Sequence, residues 1–252
     1  ELTQELRRLY QENKKYGPIN PLIYAIIVCP ECFYASSPED FSAPIKDVKK
    51  RLQDNTENRV SRIHSLFPNL DFNENRELSH GVASYILAVT AYSFFEKKYA
   101  PSLKRAISSI RAAWTLEDLA NKKGDSKAEH LKSIFYHKSA HFYHQAVEYS
   151  QKGEELIDGI KHYGPDVDKN FGYDGMLYMA CLLNSRLGDE EADLEKQAKS
   201  YIKAKRIVSK LFGSGKASKE KPTAILDMAR DVFREINEKL KNLEQELGRK
   251  LD

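Results

Sequence analysis

The sequence predicts a mainly α-helical fold, a solenoid of paired helices behind a small N-terminal β-hairpin. Three observations point there. After Pro44 apolar residues recur at helical spacing almost to the end of the chain. The helical segments are joined by short polar turns, as in α-solenoids. The one β-branched run, LIYAIIV at 22–28, is short and lies between Pro21 and a cysteine turn, which suits a brief buried strand. We therefore divide the chain into an N-terminal helix and cysteine knuckle, 1–44, and a helical domain, 45–252.

Composition sets outer bounds. The chain has 252 residues, 41% hydrophobic and 31% charged, enough for one large domain or two small ones. Forty basic residues face thirty-seven acidic ones, for a net charge of +3. That lacks the basic excess expected of a nucleic-acid binder. Three cysteines, an odd number, argue against a disulfide scaffold and for a reducing, cytoplasmic setting. No apolar run approaches the roughly 18 residues that a membrane span needs. The chain starts on Glu1, which leaves room upstream for a leader or for part of a site.

The elements follow in order. Residues 1–15 read as an amphipathic helix carrying Leu2, Leu6, Leu9 and Tyr10 on one side. Pro18 and Pro21 end it. The strand at 22–28, the turn CPEC and a return strand FYA at 33–35 make the hairpin. Helices are expected at 45–66, stopped by Pro68, and at 78–99. The next opens at Pro101, a tolerated first-turn position, and reaches 121. KKGD then turns the chain, with Asp125 or Ser126 capping a long helix over 126–162 that weakens at Gly153 and Gly159. Helices at 175–187, 190–212 and 222–247 complete the chain. The basic stretch KLFGSGKASKEK, 210–221, reads as a solvated linker.

Two clusters carry metal chemistry. Cys29 and Cys32 form a C-P-x-C turn whose backbone amides favour thiolates, the form that zinc binds. The pair reads as half of a four-ligand zinc site. The alternatives are an unmetallated knuckle or a redox C-x-x-C, which ordinarily sits at a helix start in a βαβ unit. His137, His141 and His144 fall on one helix face at i, i+4 and i+7. A metal could bridge the first two, but Lys138 stands where a zincin has Glu, and an aromatic-packed histidine stripe is the simpler reading. Cys181, in LYMACLL, reads as a small core residue. No G-x-S-x-G, Walker or dinucleotide loop is present, and GSGK lacks the first glycine and the preceding strand of a phosphate loop.

Two segments look like degenerate tetratricopeptide repeats, whose period is about 34 residues. One pairs Leu177, Ala180 and Cys181 with Ala198, Ile202 and Ala204 around a turn at LGD, 187–189. The other uses Tyr85, Ala88, Tyr92, Ala106 and Ala113. NPLIYAIIVCPECFYASSPEDF, 20–41, resembles the bacterial family called domain of unknown function 2225, whose members read N-P-L-x-Y-x-x-x-V-C-P-x-C-x-Y-A before an acidic, aromatic segment. Asn20, Pro21, Leu22, Tyr24, Val28, Cys29, Pro30, Cys32, Tyr34, Ala35, Asp40 and Phe41 match. The resemblance extends through FGYDGMLYMACLLNSRLGDEE and ILDMARDVFREI. It implies a zinc ribbon, completed by a second C-P-x-C upstream, ahead of tetratricopeptide-like helices. No cysteine precedes Cys29 here, so that half of the site would lie before Glu1.

The expected function is a non-enzymatic protein–protein interaction scaffold, with a partner protein or peptide in a groove lined by Tyr85, Tyr92, Trp114, His137, His141, Tyr178 and Asn184. A homo- or hetero-oligomer fits the same reading. Two rivals are a structural subunit of a bacterial assembly, such as a motor collar or ring, and a metal-dependent enzyme using the His137, His141 and His144 face.

Overall fold

The computed structural model describes residues 2–12, 14–15, 17–42, 46–212 and 223–251. The fold is mainly helical. Among the described residues it has nine α-helices and one two-stranded sheet. No helix among them is long and apolar enough to cross a membrane. The chain forms two compact units, Leu9–Ile160 and Glu1–Arg8 with Lys161–Asp252. The expected boundary at 44/45 falls inside the first of these, and most of the linker at 210–221 lies outside the described residues.

In the unit Leu9–Ile160 the hairpin is smaller than its sequence suggests. Asn20 Oδ1 accepts the Leu22 N–H at 3.0 Å and starts a 3-10 turn, Pro21–Tyr24. This turn takes the first half of the expected strand, because Pro21 presets helical φ and Asn20 supplies a local acceptor. Only β1, Ile27–Val28, pairs antiparallel with β2, Ala35–Ser36, in the register Ile27↔Ser36 and Val28↔Ala35. The short helix α1, Pro38–Phe41, follows.

The expected helix 45–66 breaks into α2, Lys46–Asp54, and α3, Thr56–Leu66. The buried Arg59 stabilises the break: its Nη1 donates to the Leu52 carbonyl at 2.6 Å. It thereby satisfies an acceptor near the exposed end of α2. Helix α4, Leu78–Tyr92, is buried along nearly its whole length, as befits a helix apolar all round. It stops short of 99, and a second 3-10 turn, Lys97–Tyr99, leads into α5, Pro101–Lys123. Gly124, at φ 64, closes α5, and Asp125 caps α6, Ser126–Gln151, by accepting from Lys127 N at 2.9 Å and Ala128 N at 3.3 Å. Such a cap stabilises by about 1 kcal/mol. Helix α5 packs on both α4 and α6.

A buried polar knot ties α1 to α4 and α5. Tyr92 donates to Asp40 Oδ2 at 2.8 Å, and Lys104 Nζ donates to Asp40 Oδ1 at 2.7 Å. The Ser37 amide donates to the Tyr92 hydroxyl at 2.9 Å. Burial first, and then the Asp40 charge, push the Tyr92 pKa upward, so its hydroxyl stays a donor.

In the other unit, α7, Gly172–Glu190, packs on α8, Leu194–Ser209, and on α9, Thr223–Leu247, while α8 also packs on α9. LGD is no turn, since α7 runs through it. Gly188 instead lets α8 approach: a Cβ there would sit 2.6 Å from Tyr201 Cε1. The helix expected over 1–15 is also absent among the described residues of that range. Among residues 2–12 there is a tight loop closed by a bridge between Leu2 and Arg8, with Leu6 at φ 59. Tertiary contacts override the local periodicity. Leu6 is fully buried, Tyr178 donates to the Gln4 carbonyl at 2.8 Å, and Arg186 pairs with Glu5.

Candidate functional site

The cysteine knuckle is a tight turn. The Cys29 amide donates to the Tyr34 carbonyl and the Phe33 amide to the Cys29 carbonyl, both at 2.9 Å. Phe33 sits at φ 53, a costly conformation for a bulky residue. It is held there by packing on His64 and Phe72, with ring centroids 5.4 and 5.2 Å away. Arg59 braces the turn through Nη2, which donates to the Cys32 carbonyl at 2.9 Å.

The two thiols are unequal. Burial raises the Cys29 pKa, but the backbone amides of Cys32 and Glu31, together with the Cys32 thiol, outweigh it and bring the pKa below the usual thiol value. Burial pushes Cys32 up, and the neighbouring Cys29 adds to that. The pair thus holds one negative charge more easily than two. Two thiols fit half of a tetrahedral zinc sphere. Among the described residues no group of three or more His, Cys, Asp or Glu side chains could hold a metal together.

The side chains expected to line a partner groove separate into two sets. Tyr85, Tyr92, Trp114, Tyr178 and Asn184 are between 0 and 5% exposed. They are core residues, and in this structure they present no surface to a partner. The physical reason is that α4, α5 and α7 are covered on most sides, so their small residues admit close neighbours all round. Tyr85 donates to the Leu22 carbonyl and Asn184 to the Ala180 carbonyl. His137 and His141 are exposed on α6, while His144, half-buried, lies 3.5 Å from Glu148.

The structure brings together a different set. A groove of about 460 Å³ opens between α3, α4 and α6 over Arg105 of α5. Its walls are apolar and include Ile86, Val89, Leu131, Ile134, Phe135 and Phe142. Arg62, Arg105 and Lys138 also line it, as do the hydroxyls of Ser65, Thr90 and Ser93. None of these lining residues is acidic. The Arg105 guanidinium lies 3.9 Å from the Phe142 ring centroid, and its buried Nε has no hydrogen-bond partner among the described residues. Lys138 Nζ lies 4.7 Å from the Phe135 centroid. Burial, then Arg62 and Arg105, lower the Lys138 pKa. Glu155, whose charge reaches Arg105, is engaged by Ser102, with Oγ to Oε1 at 2.7 Å and N to Oε2 at 3.1 Å. The sequence signal for this groove is slight: Arg105 and Lys138 are ordinary helix cations, each next in sequence to a residue that the fold buries, Ala106 and Ser139.

The hairpin, the knuckle and the helices around the groove all lie within a segment, residues 2–236, that matches the model of a family described as "uncharacterized protein conserved in bacteria (DUF2225)". The chain belongs to this family. Within DUF2225 it is similar to a Borreliella burgdorferi protein described as uncharacterized, 41% identical over 244 residues, covering 96% of this chain and 87% of that one. No solved structure matches.

Proposed function

We propose that this DUF2225 protein is a non-enzymatic interaction scaffold that receives a segment of a partner protein in the groove between α3, α4 and α6. The observation that carries this reading is the lining. Apolar and aromatic walls with a few convergent polar groups are what a recognition site needs, and the polar groups here are cations and hydroxyls. Aromatic and arginine side chains are also the usual anchors of protein interfaces. Tetratricopeptide-like ancestry of the helical pairs and service as a part of a larger assembly are both compatible with such a groove. The knuckle, Cys29 and Cys32, is proposed as half of a structural zinc site that braces the hairpin. Cysteines without disulfides suit a cytoplasmic setting.

A photo-crosslinking residue placed in cells at Ser65 or Ser93 on the groove, and at exposed Glu238 on α9 as a control, tests the reading. Adducts with one discrete protein from the groove positions and not from Glu238 are expected. Identical adduct patterns from all three positions would set the groove aside as the docking site.

A further inference from the structure

We infer that the groove between α3, α4 and α6 recognises a carboxylate carried beside an apolar side chain, so that the docked segment of the partner is acidic. This deepens the docking reading above and rests on it. Three observations converge. Arg62, Arg105 and Lys138 come from three different helices to one concave surface, and among the described residues no acidic side chain lines it with them. Like charges gathered in this way repel one another unless an anion joins them. Secondly, the Arg105 Nε–H is buried without an acceptor among the described residues. A buried charged donor left unsatisfied is costly, and an anion at the accessible part of the same half-buried guanidinium would offset that uncompensated charge. Thirdly, Phe135 and Phe142 lie beneath Lys138 and Arg105. These rings hold the cationic heads in place and leave an apolar wall beside them for the body of the ligand.

The anion is a carboxylate because proteins carry that group unmodified, in acidic side chains and at their chain ends. The hydroxyls of Thr90 and Ser93 donate to helix carbonyls at 3.1 and 2.6 Å. Their protons are therefore committed, and the cations remain the groove's anion donors.

The test uses the full chain in isotope-labelled form and two probes of one shape, N-acetyl-phenylalanine and its neutral amide. Chemical shifts report where each binds, and the acid is expected to move groove amides of α3, α4 and α6 with roughly millimolar affinity, as befits so small a ligand. The amide should bind about tenfold more weakly or not at all. Raising the salt should weaken the acid and leave the amide unchanged. Arg105→Met and Lys138→Met should each abolish the preference for the acid. Arg62→Met, at an exposed position that tolerates change, should reduce it and serves if Arg105→Met does not fold. Equal binding of acid and amide overturns the proposal in favour of an apolar occupant. Displacement of the acid by an equal concentration of inorganic phosphate overturns it in favour of a phosphorylated one. Acid binding outside the groove, or unaffected by the three substitutions, overturns it outright. The crosslinking result stands apart: groove-specific adducts with failed probes would refute the carboxylate while leaving the docking site in place.

Discussion

At the scale of single residues, the two knuckle thiols share a turn but differ in acidity. Thiolate, not thiol, reacts with alkylating agents. With chelator present and near neutral pH, iodoacetamide should therefore label Cys29 ahead of Cys32. Cys181 is fully buried and pushed up to about 12 by that burial, and should stay unlabelled until the chain is denatured. Peptide mapping at timed intervals reads the order, and labelling of Cys32 first would contradict the hydrogen-bond pattern of the turn. The C-P-x-C spacing was plain in the sequence, but the inequality was not, because it depends on how deeply each sulfur sits. The same holds for Asp40. As a letter it is one acid in an acidic segment. Its partners Tyr92 and Lys104 lie 52 and 64 residues away, beyond any local window. The groove was hidden for the same reason, since Arg62, Arg105 and Lys138 meet only when three helices pack.

At the scale of elements, most helices were legible because long amphipathic runs and strong caps agree. Gly124 and Asp125 mark the junction of α5 and α6 as their sequence suggests. Misreadings arose where a cap or a packing contact outweighs the apolar pattern. The hairpin strand yields to the Asn20–Pro21 start signal, the helix at 45–66 is interrupted beneath Arg59, and Gly188 serves packing rather than a turn. Gly188 offers a clean test. In an exposed helix interior, Gly→Ala gains about 1 kcal/mol. Here the added methyl meets the Tyr201 ring, which is itself fixed by its hydroxyl bond to Asp189 at 2.6 Å. Gly188→Ala should therefore destabilise, by about 1–3 kcal/mol, the range for overpacked cores. Urea unfolding measures it, and a stabilised variant would show that Tyr201 moves aside easily.

At the scale of the whole molecule, the units are not consecutive stretches of chain. Residues up to Arg8 belong with the helices after Lys161. Sequence periodicity could not show this, because Leu2, Leu6 and Leu9 fall at helical spacing and suggest a self-contained helix. Leu6 is fully buried, and its Cδ1 lies 3.7 Å from where a Cβ on Gly175 would stand. Leu6→Ala should cost about 2–5 kcal/mol. The loss should appear as faster amide exchange in α7, with α5 and α6 little changed. Unaltered protection in α7 would show that the N-terminal loop merely lies on that unit.

The placement of the segment up to Arg8 also governs the order in which a growing chain can fold. Residues 9–160 emerge from the ribosome as one uninterrupted stretch, and their helices can close over each other as they appear. The loop closed between Leu2 and Arg8 leaves before that stretch but must wait for α7 to α9. At ordinary rates of synthesis the residues after 160 take on the order of ten seconds to follow. Throughout that interval Leu6 has no core to enter, and closing so long a loop carries an entropic cost that the central unit does not meet. The segment up to Arg8 is thus among the last parts of this chain to become native, and a chaperone that guards newly made chains would find a long-lived exposed apolar residue there.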